Sequence, residues 1–358
     1  MLNQKRILFT GGGTAGHVIV NLALIPEFQK QGYEVDYIGS YNGIEKQLIS
    51  SLEGVTYHGI STGKLRRYMS KENVKDPFKV MKGLMQSLRI IRKRKPQVIF
   101  SKGGFVSVPV VAAAKLNRVP AIIHESDYTP GLANKLSFPF AKKVLATFPE
   151  TMQHLPEGKG QYIGAVVREE LFTGDKGKGL AFSGLTPTKP VVLVMGGSTG
   201  SKKINDAIRN NLSELLKMVQ IIHICGHGQK DESIQQTGYV QFEYVNDELK
   251  DLFAASDFII SRAGSNAIFE FLALKKPMLL IPLSRKASRG DQILNADSFV
   301  KQGYAHKLEE EDLTSESLLN ELKRLMETKG ELLDNMEQYE SKRTKNEVIS
   351  LIQEAEKK

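Results

Sequence analysis

Cysteine is almost absent from this chain: Cys225 is the single one in 358 residues. One thiol excludes an internal disulfide framework and fits a reducing compartment. Together with seven scattered histidines it also leaves no ligand spacing for a structural zinc site. Long apolar runs are missing too, since no stretch approaches the ~18 residues of a membrane-spanning helix. The opening residues, Met1 to Arg6, run straight into a strand-like Ile7-Leu8-Phe9 with no apolar signal-peptide core. No Asp-x-Asp pair occurs, so the sequence offers no metal-binding motif for a nucleotide diphosphate, and no metal or other cofactor is expected. What is present reads as globular: 41% hydrophobic and 25% charged residues, in a chain long enough for two domains of ordinary size. The net charge of +9 leaves phosphorylated substrates, anionic lipid and nucleic acid as partner classes.

Short β-branched runs alternate with helical patterns, the signature of parallel sheets with crossover helices. Strands are expected at Ile7–Thr10, Glu34–Ile38, Val98–Ser101, Ala121–His124 and Val144–Ala146 in the first half. In the second half they are expected at Val191–Met195, Ile221–Cys225, Tyr239–Phe242, Asp257–Ser261 and Met278–Ile281. The glycine-rich stretch from Thr173 to Gly179, followed by Ser183-Gly184, reads as a linker or exposed loop. The halves echo each other. Leu8 to Gly16 parallels Leu193 to Gly200, and Ser101-Lys102-Gly103-Gly104 parallels Ser261-Arg262-Ala263-Gly264. The expected fold class is therefore α/β, with two facing Rossmann-like, doubly wound domains and a cleft between them. Residues 1–165 form the first and 166–339 the second, with a helix at 340–358 packing back on the first through Val348, Leu351 and Ile352.

Gly11-x-Gly13-x-x-Gly16 formally matches a dinucleotide fingerprint. A nicotinamide enzyme would carry an acidic residue at the end of the second strand, where this chain has Gly39-Ser40. The loop instead suits a phosphate or diphosphate, because it presents backbone N–H groups at a helix start. His17 follows it directly; a neutral imidazole there is a candidate general base, with Asp127 or Glu125 as the next candidates. In the second half, Gly264 and Ser265 open a helix at a strand end, and Glu270 lies a turn and a half further on. That carboxylate can accept both hydroxyls of a ribose, although an ordinary amphipathic helix with one solvated Glu has the same pattern. Gln292, after Gly290-Asp291, offers donor and acceptor to a sugar hydroxyl.

Taken together, Gly11 through His17, His124-Glu125-Ser126-Asp127 with Pro130-Gly131 and Asn134-Lys135, Gly196-Gly197-Ser198 with Gly200, Ser261-Arg262 with Gly264 through Glu270, and Asp291-Gln292 resemble the MurG family. The resemblance implies a GT-B glycosyltransferase fold and transfer of N-acetylglucosamine, with inversion, from UDP-N-acetylglucosamine. The implied acceptor is undecaprenyl-diphosphate-linked N-acetylmuramoyl-peptide, lipid I, at the cytoplasmic face of the cell membrane, with cell-wall synthesis proteins as further partners. It implies donor contacts at Thr14, Ala15, Gly16, Asp127, Arg168, Ser198, Val245, Arg262, Gly264, Ser265, Glu270 and Gln292. Acceptor contacts are implied at Gly11, Gly12, Gly13, Gly103, Gly104, Phe105, Glu125 and Asn134. The chain departs from the pattern at Ala15, where many members carry Gly, at Asp127, where many carry Asn, and at Thr199, where many carry Gln. A nucleotide-sugar epimerase of the same architecture and a non-enzymatic membrane-surface protein stay open as alternatives.

The positive charge is concentrated: 12 Lys or Arg lie between Lys64 and Lys95, against only Glu72 and Asp76. Val74, Phe78, Met81 and Leu84 recur at three- and four-residue steps among Lys79 and Lys82, as does Met85. This is the pattern of an amphipathic helix lying in an anionic headgroup region. No nucleic-acid-binding motif accompanies it, so nucleic acid is not expected as a partner.

Overall fold

A computed structural model describes residues 4–63, 76–197, 199–339 and 345–356. The chain divides into two units, Met1–Val166 with Lys342–Lys358, and Val167–Ser341.

Unit 1 runs β1 (Arg6–Thr10), α1 (Ile19–Lys30), β2 (Glu34–Ser40), α2 (Ile44–Ser50), β3 (Val55–Ile60), α3 (Asp76–Arg94), β4 (Val98–Ser101), α4 (Ser107–Leu116), β5 (Ala121–Glu125), α5 (Leu132–Ser137), β6 (Lys143–Ala146) and β7 (Gly160–Tyr162). Its strands form one sheet in the order β3-β2-β1-β4-β5-β6-β7. Every pairing in it is parallel. The inner strands are apolar on both faces because helices cover both: Ile7 and Phe9 face one buried cluster, Leu8 the other.

Unit 2 runs α6 (Lys176–Ser183), β8 (Val191–Met195), α7 (Lys202–Asn210), α8 (Leu212–Met218), β9 (Gln220–Ile224), β10 (Tyr239–Phe242), α9 (Leu249–Ala255), β11 (Phe258–Ser261), α10 (Ser265–Ala273), β12 (Met278–Leu280), α11 (Asp291–Lys301), β13 (Ala305–Lys307), α12 (Ser315–Glu327) and α13 (Lys329–Glu337). Its parallel sheet has the order β10-β9-β8-β11-β12-β13. The last helix, α14 (Lys345–Glu356), returns to unit 1, where Val348, Leu351 and Ile352 join the cluster of Ile7, Phe9 and Phe28.

In each sheet the strand order reverses once, between β1 and β4 and between β8 and β11. Chains leaving these neighbours diverge to opposite faces and open a crevice at the carboxyl ends, which is where such sheets bind ligands. The glycine loops sit at these two places.

Two sequence expectations change. The stretch read as a linker is helix α6, started by Asp175, whose carboxylate accepts from Lys178 N. Gly179 serves packing: a Cβ on it would collide with the Asp251 carbonyl of α9. Three strands were also not anticipated, β3, β7 and β13, and all lie at sheet edges.

Candidate functional site

At the crevice of unit 1, the loops after β1 and β4 interlock. Gly12 N donates to Gly103 O at 3.3 Å. Gly104 has φ +83°, and a Cβ on it would strike the Gly12 carbonyl, so the approach needs glycine. Gly13 faces open space. Glu45, buried at the start of α2, holds this loop by accepting from Gly13 N (3.1 Å) and Ser40 N (2.9 Å).

His17 ends a single 3₁₀ turn, Ala15–His17, just ahead of α1. Its Nδ1 lies 3.0 Å from the Gly12 carbonyl oxygen and 3.0 Å from Thr14 Oγ1. A carbonyl only accepts, so Nδ1 carries a proton, and in the neutral form of the ring the acceptor nitrogen would be Nε2. Thr14, Ala15 and Gly16 form the turn that places this ring. The sequence expectation put His17 in the first turn of a helix; the 3₁₀ turn instead sets it one step before α1.

Across the switch point, β5 ends in His124 and Glu125. Glu125 Oε1 accepts from Asp127 N (2.9 Å), and Oε2 accepts from Gly131 N (2.9 Å) and Asn134 Nδ2 (2.8 Å). Burial, and then the charge of Asp127, raises its pKa. Glu125 ties the loop that carries Asp127 to the start of α5. Among the described residues Asn134 Oδ1 is buried without a partner, and a Cβ on Gly103 would lie 2.9 Å from it. Phe105, half-buried, leads into α4.

In unit 2, Gly197 and Gly264 also face open space. Gly264 is the N-cap of α10, and among the described residues no side chain caps that helix. Glu270, one face down α10, is buried and accepts from Arg168 twice, Nε to Oε1 at 2.7 Å and Nη2 to Oε2 at 3.0 Å. The two expected donor contacts are thus paired with each other. Each carboxylate oxygen keeps a further lone pair. Gln292 Oε1 accepts from Leu283 N (3.0 Å), which turns its amide NH2 to the other side. Val245 is buried in the loop after β10, beside Tyr244, whose ring stacks on His227 at 5.4 Å. Ser198 lies outside the described residues, as does Val74.

Arg262 departs from expectation. Its guanidinium points into unit 2, with Nη1 donating to Ile281 O (3.1 Å) and Pro282 O (3.3 Å) and Nη2 to Ser201 Oγ (2.7 Å) and to Glu310. A buried guanidinium is stable only when its donors are filled, and these partners are all interior, so Arg262 braces the site instead of facing it.

The amphipathic helix is α3. Phe78, Met81 and Met85 are 78%, 59% and 52% exposed, with Lys79 and Lys82 exposed beside them. Leu84 does not share that face: it packs with Leu88 against the buried cluster of Ile91 and Val110. Among the described residues no helix is long and apolar enough to cross a membrane.

Three residues escaped the sequence reading: Glu45, Asn21 and Lys102. Asn21 Nδ2 donates to Thr10 O and Tyr37 Oη under the first loop. Lys102 could have been noticed from its echo with Arg262; the other two carry no local signal.

The Glycosyltransferase family 28 N-terminal domain matches residues 7–146, and the corresponding C-terminal domain matches residues 191–352. The chain is 68% identical over 352 residues to a curated UDP-N-acetylglucosamine--N-acetylmuramyl-(pentapeptide) pyrophosphoryl-undecaprenol N-acetylglucosamine transferase of Oceanobacillus iheyensis, covering 98% of this chain and 99% of that one. The crystal structure of Acinetobacter baumannii MurG aligns with a TM-score of 0.76 at 24% identity, over 98% of this chain and 99% of that one. A UDP-GlcNAc 2-epimerase from Neisseria meningitidis aligns with a TM-score of 0.69 at 13% identity, over 99% of this chain and 100% of that one. Those two likenesses concern the fold, which transferase and epimerase share; the sequence identity separates them. The chain is a glycosyltransferase of family 28 and belongs, within it, to the MurG family of N-acetylglucosamine transferases.

Proposed function

We propose that this enzyme moves N-acetylglucosamine from UDP-N-acetylglucosamine to an undecaprenyl-diphosphate-linked N-acetylmuramoyl-peptide, with inversion at the anomeric carbon. The observation that carries this is the 68% identity, over 98% of the chain, to a curated transferase of that specificity. The geometry of each unit supports a role for it. In unit 1, the Nε2 lone pair of His17 takes the proton of the acceptor hydroxyl as that oxygen attacks. The diphosphate of the acceptor rests on the glycine loops after β1 and β4. In unit 2, the leaving UDP carries its developing charge toward the uncapped start of α10 and toward Arg168. Glu270 receives the ribose hydroxyls on the lone pairs that Arg168 does not use. Asp127 serves the donor from the loop that Glu125 shapes.

Incubating the protein with UDP-N-acetylglucosamine, with and without a lipid I analogue, tests this reading. Acceptor-dependent UDP release is expected. Conversion without acceptor would instead make the protein an epimerase, and no conversion in either tube would leave only a binding function.

The enzyme works as a peripheral protein on the anionic cytoplasmic face of the membrane, through α3. Phe78, Met81 and Met85 supply the inserted side chains, and each nearby Lys contributes about 1 kcal/mol at an anionic surface. Replacing these three with Ser should weaken salt-sensitive binding to anionic vesicles and spare turnover of a short-chain acceptor. Undiminished vesicle binding would remove α3 from the contact.

A further inference from the structure

Beside the glycine loop after β8, unit 2 contains a row of uncharged polar side chains joined end to end. Tyr239 Oη lies 2.8 Å from His223 Nδ1, and His223 Nε2 lies 2.9 Å from Asn205 Oδ1. Asn205 Nδ2 donates to Gln229 Oε1 at 2.9 Å, and Gln229 Nε2 donates to the Thr199 carbonyl at 2.8 Å. Strands β10 and β9, helix α7 and the loop after β9 contribute one member each, and the row ends on the glycine loop.

The direction of each bond follows from carbonyls that can only accept. Thr199 O accepts, so the Gln229 amide nitrogen faces it and Oε1 faces Asn205. Cys225 O accepts from Asn205 Nδ2 at 2.9 Å, which leaves Asn205 Oδ1 toward His223. His223 Nε2 then carries the proton, and Nδ1 accepts from the Tyr239 hydroxyl. Burial, and then the charge of Arg209, pushes the His223 pKa down to about 3, so the ring is neutral. Turning over either amide would set two acceptors face to face.

Packing at the loop end is tight. A Cβ on Gly226 would lie 2.6 Å from the Thr199 carbonyl oxygen, and one on Gly200 would strike the Cys225 carbonyl. Gly200 N closes the turn on Gly197 O at 3.0 Å, and Gly197, at φ +89°, faces open space.

We propose that Gln229 is a positioning residue for the nucleotide-sugar donor. At the end of a one-way hydrogen-bond chain from Tyr239, it fixes the Thr199–Gly200 peptide and so the shape of the turn that receives the donor diphosphate. This rests on the reading that unit 2 binds UDP-N-acetylglucosamine.

Gln229→Glu keeps the acceptor that faces Asn205 and replaces the donor that faces Thr199 with a second oxygen. At neutral pH it should weaken UDP, measured by calorimetry, about tenfold and leave uridine, which has no phosphate, unchanged. The donor KM rises by a similar factor while kcat at saturating donor holds. In acid, a carboxyl facing a carbonyl takes up a proton and donates again. The UDP deficit, against wild type at the same pH, therefore shrinks from about pH 8 to about pH 5. The charges around position 229 are Arg209, which donates to the Gln229 carbonyl, Asp231, the Lys230–Glu232 pair, and Glu243 with His227 beside Gly228. All are common to both proteins, so the ratio isolates the substituted side chain. Gln229→Met, which neither donates nor accepts in this place, should show the UDP deficit at every pH.

UDP binding and lipid I-dependent turnover by the wild type report on the transferase reading itself; the variants are measured against them. Gln229→Glu with wild-type UDP affinity overturns the proposal, as does equal weakening of UDP and uridine, or a deficit undiminished in acid. If Gln229→Glu does not fold, Gln229→Met decides alone, and UDP affinity equal to wild type overturns it.

Discussion

The same position in the two sheets carries a cation, Lys102 after β4 and Arg262 after β11, and the two are treated in opposite ways. Arg262 has interior partners for both terminal nitrogens, an anion among them. Among the described residues Lys102 has none for its ammonium. A second echo runs alongside. Ser201, at the end of the glycine loop in unit 2, caps α7 by accepting from Ile204 N, while unit 1 places the titratable His17 at the matching point. Unit 2 ties its cation to an interior carboxylate at this part of the fold, whereas unit 1 leaves its cation without a hydrogen bond among the described residues.

The largest expected effect is on the unit 1 side. His17→Ala should lower kcat by about two to four orders of magnitude, the usual range for a lost general base, with little change in donor KM or thermal midpoint. A correctly folded variant with near-normal turnover would dissolve the contrast with Ser201. On the unit 2 side, Arg262→Met leaves Glu310 with Lys203 as its cation and should cost about 3 kcal/mol in urea-induced unfolding. A pH signature accompanies it. Against the desolvation that raises it, hydrogen bonding and charge from Arg262, joined by Lys203, hold the Glu310 carboxyl below its ordinary value of 4.5. Its contribution is thus present above that pH and lost as pH falls below it. Arg262→Met should flatten this acid loss. Smaller is Glu270→Ala, which removes charge-assisted bonds to the donor and should raise donor KM about tenfold with kcat for saturating donor less affected. An unchanged KM would detach Glu270 from the nucleotide and leave it as the partner of Arg168. Ser201→Ala comes last: the lost cap should lower stability by about 1 kcal/mol in the same unfolding assay, without the rate loss of His17→Ala.

The inner strands were legible because they are apolar on both faces. Of the four edge strands only β10 was. β3, Val55–Ile60, mixes Thr56 and His58 into its run, and β7 and β13 have three residues each. An edge strand needs only one paired side and tolerates such sequences. The glycine loops and His17 could be read because chemistry and turn geometry both act locally. The charge partners could not: Glu310 lies 48 residues from Arg262, and only the folded chain brings them together. Leu84 failed for a different reason. It sits one helical step from Met81, and periodicity alone does not say where the edge of a buried face falls. Gly177 and Gly179 made α6 read as a loop, because a close helix–helix approach and a flexible loop both select glycine.

Helix α14 bears on the order in which the molecule can be made. Unit 2 is encoded by one continuous stretch, Val167 to Ser341, and can close its core as soon as that stretch is free of the ribosome. Unit 1, although it is synthesised first, lacks Val348 and Ile352 until the end of α14 appears. At typical synthesis rates the interval after Val166 is roughly 10–40 s. During it, the apolar floor formed by Ile7, Phe9 and Phe28 is uncovered where α14 will dock. The first unit therefore waits for the end of the chain to complete its core, and the second does not.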